Sequence, residues 1–155
     1  MNEHSFVKAI HRKLSPDVYK WKIHDTYTGG VPDAMYAGPA GVLFVEYKYV
    51  KQLPKRNDTI IRHSLSKLQA DWLNRMKHST KVALILGIED TALIIVDDFS
   101  ANISKMKYIE ESRPRETVAD WIYNQTHEGA TYNEQVRKTT GCGTKSKKDL
   151  ATKKD

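Results

Sequence analysis

The chain has 155 residues, 39% of them hydrophobic and 28% charged, with 25 Lys and Arg against 19 Asp and Glu for a net charge of +6. That length suits one domain around one core, and the apolar share is too high for a fully disordered chain. A single cysteine excludes an intramolecular disulfide and a cysteine-rich zinc module, and no apolar run approaches the roughly 18 residues of a membrane span.

The residues from Met1 to Phe6 carry neither the basic nor the apolar region of a signal peptide, so an intracellular, cytoplasmic protein is expected. Phe6, Val7, Ile10 and Leu14 repeat at helical spacing and predict a helix from Glu3 to Leu14, with Asn2 as its cap. Val18 to Ile23 alternates as a strand, and Tyr19 and Trp21 are expected in the core. Thr28, Gly29 and Gly30 signal a turn, Pro32 follows, and Asp33 to Ala37 starts a short second strand. Gly41 to Val50 is the clearest strand, rich in aromatic and β-branched residues.

A cationic loop around Pro54 leads to a helix over residues 65 to 77, with Leu65, Leu68, Trp72, Leu73 and Met76 on one face and Ser64 or Ser66 as cap. Lys81 to Ile88 and Thr91 to Val96 read as strands, joined at Glu89 and Asp90 into a hairpin. Val118, Trp121 and Ile122 then mark a last helix from Thr117 to Gln125. The order predicts a mixed α/β fold, a central sheet of about five strands flanked by helices. Residues 1–136 form the expected domain, and residues 137–155 a basic, flexible tail.

The positive charge is uneven. Residues 137–155 hold seven basic and two acidic residues, a net of +5. The stretch from Lys48 to Lys81 holds nine basic and two acidic residues, a net of +7, whereas Glu89 to Glu134 holds four and ten, a net of −6. A positive side of this kind steers polyanions. Lys51, Lys55, Arg56, Arg62 and Lys67 are the candidate phosphate contacts.

Glu46 and Lys48 lie two apart in an apolar strand and so share a face. If the preceding strand is a neighbour, Asp33 and Glu46 converge across that face. Two close carboxylates repel, and Lys48 offsets only part of that charge. A hard divalent cation, Mg²⁺ first, reconciles them, held by Asp33, Glu46, the Tyr47 backbone carbonyl and waters. Such a centre polarises a phosphoryl oxygen and acidifies water, and Lys48 is placed to orient that water and stabilise phosphate charge. The same residues also read as an exposed ion pair on an edge strand, with Asp33 merely closing a turn.

Val31-Pro32-Asp33, followed thirteen residues later by Glu46-Tyr47-Lys48, resembles the core motif of the PD-(D/E)xK nuclease superfamily. Gly30 to Asp33, Val45 to Val50 and Leu65 to Trp72 are similar to the VRR-NUC group and to phage and archaeal Holliday-junction resolvases. The resemblance spans residues 3 to 96. It implies a restriction-endonuclease-like core, Asp33 and Glu46 as metal-binding carboxylates, Lys48 as catalytic lysine and Gln69 beside the site. It also implies Glu3 as a further acidic residue near the metal.

The function expected is a Mg²⁺-dependent DNA endonuclease, with Mn²⁺ as a substitute, acting on branched DNA such as four-way junctions in repair or recombination. Symmetric cleavage of a junction implies a homodimer, with an apolar surface of the late strands and last helix as its interface. A phage protein acting in its host cell fits this reading. The alternatives are a less selective nuclease of repair, restriction or host-DNA degradation, and a DNA-binding protein that uses only the basic patch.

Overall fold

The structure is a computed structural model and describes residues 1–128; the basic tail expected at 137–155 lies outside the described residues. Helix α1 (Glu3–Lys13) is followed by strands β1 (Tyr19–Lys22), β2 (Ala34–Gly38) and β3 (Gly41–Val50). Helix α2 (Lys67–Met76), β4 (Lys81–Ile88) and β5 (Thr91–Ile95) come next, then α3 (Lys105–Glu111), β6 (Arg113–Pro114), a turn of 3₁₀ helix and α4 (Val118–His127). The strands form one sheet in the order β1-β2-β3-β4-β5-β6. β3 and β4 run parallel, with α2 in the crossover between them, and every other neighbouring pair is antiparallel.

This is the expected mixed α/β fold, a central sheet flanked by helices. Among the described residues it has six strands rather than about five. The extra one is the two-residue β6, preceded by the short α3, and neither is long enough to carry a hydrophobic period of its own.

Alternation along the strands sorts the sheet into two faces. On one face Ala34, Tyr36, Leu43, Val45, Tyr47, Ala83 and Ile85 pack with Phe6 and Ile10 of α1 and Val118 and Ile122 of α4. The Phe6 ring lies over Gly87 of β4, where a Cβ would collide with it, so glycine lets α1 settle close to the sheet. On the other face Val82 and Leu84 pack with Leu73 of α2 and with Phe99. Leu86, Ile88 and Leu93 pack there with Ile61, Ile103 and Tyr108.

Several expectations change. Tyr19 and Trp21 are not core residues: they are 62% and 51% exposed, because β1 is an edge strand exposed at every position. Helix α2 starts at Lys67, capped by Ser66 rather than Ser64, and Leu68 in its first turn is 61% exposed. The apolar face of the last helix is not spare interface. Val118, Ala119 and Ile122 are consumed by the chain's own core. Among the described residues, no helix is long and apolar enough to cross a membrane.

Candidate active site

Glu46 is 1% exposed and sits in β3, the third of six strands. Burying a carboxylate at such a position is costly unless it is paired. An exposed ion pair on an edge strand therefore does not describe it. Lys48, two residues on and on the same face, brings Nζ to 3.2 Å from Glu46 Oε1, with its side chain 16% exposed. Gln69 donates to the same oxygen from Nε2 at 2.7 Å. Glu46 Oε2 is buried and has no hydrogen-bond partner among the described residues.

The β2–β3 register pairs Ala34 with Val45 and, continued one step beyond the strand, places Asp33 opposite Glu46. The Asp33 carbonyl accepts from Ile23 N at 2.8 Å, so its backbone bonds towards β1. Opposed residues whose backbones point away from each other bring their side chains closest. One further step sets Pro32 opposite Tyr47, and proline has no N–H to give. The Asp33 carboxylate enters that gap: Oδ2 accepts from Tyr47 N at 2.9 Å. Pro32 likewise offers no donor to the Tyr47 carbonyl. The Pro-Asp pair thus stops the ladder and holds a carboxylate beside Glu46.

Gln69 is aimed by the helix cap. Ser66 Oγ accepts from Gln69 N at 3.1 Å, while Gln69 Oε1 accepts from Ser66 N at 3.0 Å. This reciprocal box satisfies two orphan donors of the first turn and leaves the Gln69 amide NH₂ directed at Glu46. The turn before Asp33 abuts the same helix end. Gly30 has φ +85°, and a Cβ there would run into the Leu68 carbonyl. Glycine is thus required both for its backbone angle and for close approach.

Glu3, the first residue of α1, joins from the other side of the sheet. Asn2 Oδ1 caps this helix by accepting from Ser5 N at 2.9 Å. Glu3 is exposed overall, yet partial burial of its carboxyl group raises its pKa, with Asp33 adding repulsion against the pull of Lys48. Glu46 is pushed up to about 7, first by burial and then by Asp33, with Lys48 opposing and Glu3 adding a smaller push. Three acids therefore sense one another at one end of the sheet.

Two histidines near the site went unassigned from sequence. The His63 ring is lowered from its ordinary value by burial, with the Lys48 charge adding to it. Its Nδ1 accepts from Leu65 N, two residues on, at 3.2 Å. His11 is lowered to about 4 by burial, with Lys20 and Lys22 contributing. Its Nε2 lies 2.7 Å from Tyr36 Oη, which lies 2.6 Å from Tyr47 Oη. A long-range contact of this kind leaves no mark in local sequence.

The five candidate phosphate contacts are exposed. Arg56 pairs with Asp58 at 3.1 Å and Lys67 with Asp71 at 2.9 Å, both on the surface. Lys51 lines a separate cavity with Glu89, Asp90 and Arg115. Lys55 and Arg62 sit on the same long loop, between β3 and α2. The cations that do share a cavity with Asp33 are Lys8, Lys20 and Lys22, together with His4 and His11; this cavity measures about 550 Å³ and reaches Glu3.

Among the described residues, no group of three or more His, Cys, Asp and Glu side chains is spaced to hold a metal ion. A hard cation such as Mg²⁺ needs only one or two carboxylates when waters and carbonyls complete its shell. The orphaned, buried Glu46 Oε2 opposite Asp33 fits that smaller donor set. Asp33, Glu46 and the Tyr47 carbonyl would hold the ion.

No family model matches the sequence, and no curated protein matches it. Among solved structures the chain is similar to the Holliday junction resolvase Hjc of Archaeoglobus fulgidus, with a TM-score of 0.49 and 12% identity, over 76% of this chain and 96% of that one. That is a remote structural match.

Proposed function

We propose that the chain is a metal-dependent DNA endonuclease acting on branched DNA. The observation that supports this most is the state of Glu46. One oxygen is held by Lys48 and Gln69, while the other is buried with no hydrogen-bond partner among the described residues, on the residue opposite Asp33. Structure alone gains little from such a group, because a buried unpaired oxygen is a cost that folding has to offset.

Hydrolysis of a phosphodiester adds water across one P–O bond. A new P–O bond forms, one P–O bond to the sugar breaks, and a proton goes to the leaving oxygen. A divalent cation at Asp33 and Glu46 would polarise the phosphoryl oxygen and lower the pKa of water. Lys48 presents an ammonium at the mouth of the site, where it faces the developing phosphate charge. Gln69 fixes Glu46 in one orientation. Glu3 adds negative charge at the same end of the sheet and favours a cation there. Lys8, Lys20 and Lys22 supply the grip on the DNA backbone along the cavity that ends at Asp33.

The test is a cleavage panel with Mg²⁺ on duplex, flap, fork and four-way junction, run with wild type and D33A. The nuclease reading expects metal-dependent cutting of branched substrates by wild type and none by D33A. Paired symmetric cuts on a junction would require two copies of the chain. A second reading, a DNA-binding protein without cleavage, is favoured by the lack of a three-side-chain metal group among the described residues. It expects DNA binding with no cutting of any substrate, and binding unchanged in D33A.

A further inference from the structure

The open edge of the sheet carries its aromatic side chains on the outside. Tyr19 and Trp21 of β1 are 62% and 51% exposed. The register pairs Trp21 with Met35 and Met35 with Phe44, so Trp21 lies on the face that carries Glu46 and Lys48. Phe44 is covered by Trp72 of α2, edge to face at 5.4 Å between centroids, whereas Trp21 is left uncovered. Ile23 N donates to the Asp33 carbonyl at 2.8 Å, which fixes β1 against the site. Trp21 therefore sits two residues from the position opposite Asp33, about 7 Å along the strand and one strand over.

The same edge strand carries two lysines. Lys20 and Lys22 alternate with Tyr19 and Trp21 and project to the other face, where they line the cavity that reaches Asp33. An edge strand with exposed aromatic rings on one face and two lysines on the other suits a polyanion whose bases can offer a flat π-face. A base inside a duplex is already stacked on both sides and has no free face. An unpaired base has one.

We propose that Trp21, with Tyr19 beside it, stacks on an unpaired nucleobase next to the phosphate held at Asp33 and Glu46. The preferred substrate is then DNA with unpaired nucleotides at the branch, a fork or a flap, rather than a fully paired form. The placement of the phosphate rests on the nuclease reading. The stacking itself is measurable without cleavage.

The experiment measures binding in EDTA to a forked DNA carrying 2-aminopurine at successive unpaired positions beside the branch, with a duplex of equal length as reference. Wild type should prefer the fork and change 2-aminopurine emission at one or two adjacent positions. W21A should lose about tenfold of the fork-over-duplex preference, and W21F should restore most of it.

A preference unchanged in W21A would overturn the proposal. So would a fork complex with no 2-aminopurine response, or sedimentation showing that Trp21 is instead covered by a second copy of this chain, with W21A breaking a dimer. If wild type shows the Trp21-dependent preference but never cuts with Mg²⁺, the nuclease reading fails and the stacking site stands. If it cuts forks and W21A retains the full preference, the reverse holds.

Discussion

Gln69 donates from Nε2 to Glu46 Oε1 at 2.7 Å while its own Oε1 closes the cap of the helix that carries it. A secondary-structure signal and a site contact thus share one side chain. Gln69→Ala should remove both. The lost hydrogen bond to a charged group is worth about 1.5–3 kcal/mol. We expect kcat on a branched substrate to fall about tenfold or more with a small change in KM. S66A should cost about 1 kcal/mol of stability and loosen Gln69, with a milder effect on kcat. A fall in stability with unchanged kcat in Q69A would show that the residue is only a cap.

Glu46 also predicts a pH dependence. Its pKa is raised from 4.5 to about 7 in the folded chain. Between those values the unfolded chain has released a proton that the folded chain keeps, so this group lowers stability as pH rises and leaves its full cost above pH 7. The shift corresponds to about 3 kcal/mol as an order of magnitude. E46Q can still accept from Gln69, so the stability difference between E46Q and wild type should grow from pH 4.5 to pH 8. Chemical denaturation of both proteins across that range measures it. Mg²⁺ should stabilise wild type at pH 8 and leave E46Q unaffected, by linkage.

His11 behaves in the opposite sense. Its ring is lowered to about 4, and its Nε2 meets Tyr36 Oη at 2.7 Å. The unfolded chain takes up a proton below pH 6.5 that the folded chain refuses down to about 4, so stability falls as pH drops through that window. H11Q keeps an acceptor for Tyr36 without titrating. The difference between H11Q and wild type should therefore widen from pH 7 to pH 4.

Gly30 combines φ +85° with direct approach to the Leu68 carbonyl. G30A should destabilise the chain by about 2 kcal/mol or more, since the strain and the clash add. It should also lower cleavage at temperatures where the protein stays folded, because the turn leading to Asp33 moves away from Gln69. A thermal melt and a cleavage time course on the same sample separate the two effects.

Much of the site was legible in the sequence because its parts are local. Glu46 and Lys48 share a face by strand alternation, and Ser66 with Gln69 reads as a helix start. The Pro32-Asp33 pair needed only that its strand be a neighbour of β3. What escaped depends on position within the sheet. Tyr19 and Trp21 have the composition of a core strand, and only the edge place of β1 exposes them. Within the Lys48 to Lys81 charge run, Arg56 and Lys67 pair with Asp58 and Asp71, contacts that the net charge of the run does not reveal. Lys20 and Lys22 read only as alternate positions of a strand, and the cavity they line with α1, Asp33 and Tyr47 exists only once β1 pairs with β2 and α1 packs beside it. Val118 and Ile122 looked available for a partner until α4 was seen against β2 and β3.

The central claim is that Asp33 and Glu46 form a cation-dependent site for breaking phosphodiester bonds. The most direct measurement is cleavage of one labelled fork by wild type, D33A, E46A and K48A, with Mg²⁺ and with EDTA, alongside binding of the same fork. The account predicts cutting by wild type only, only with the metal, and binding retained by all four. Metal-dependent cutting by E46A or D33A at the wild-type rate would contradict it.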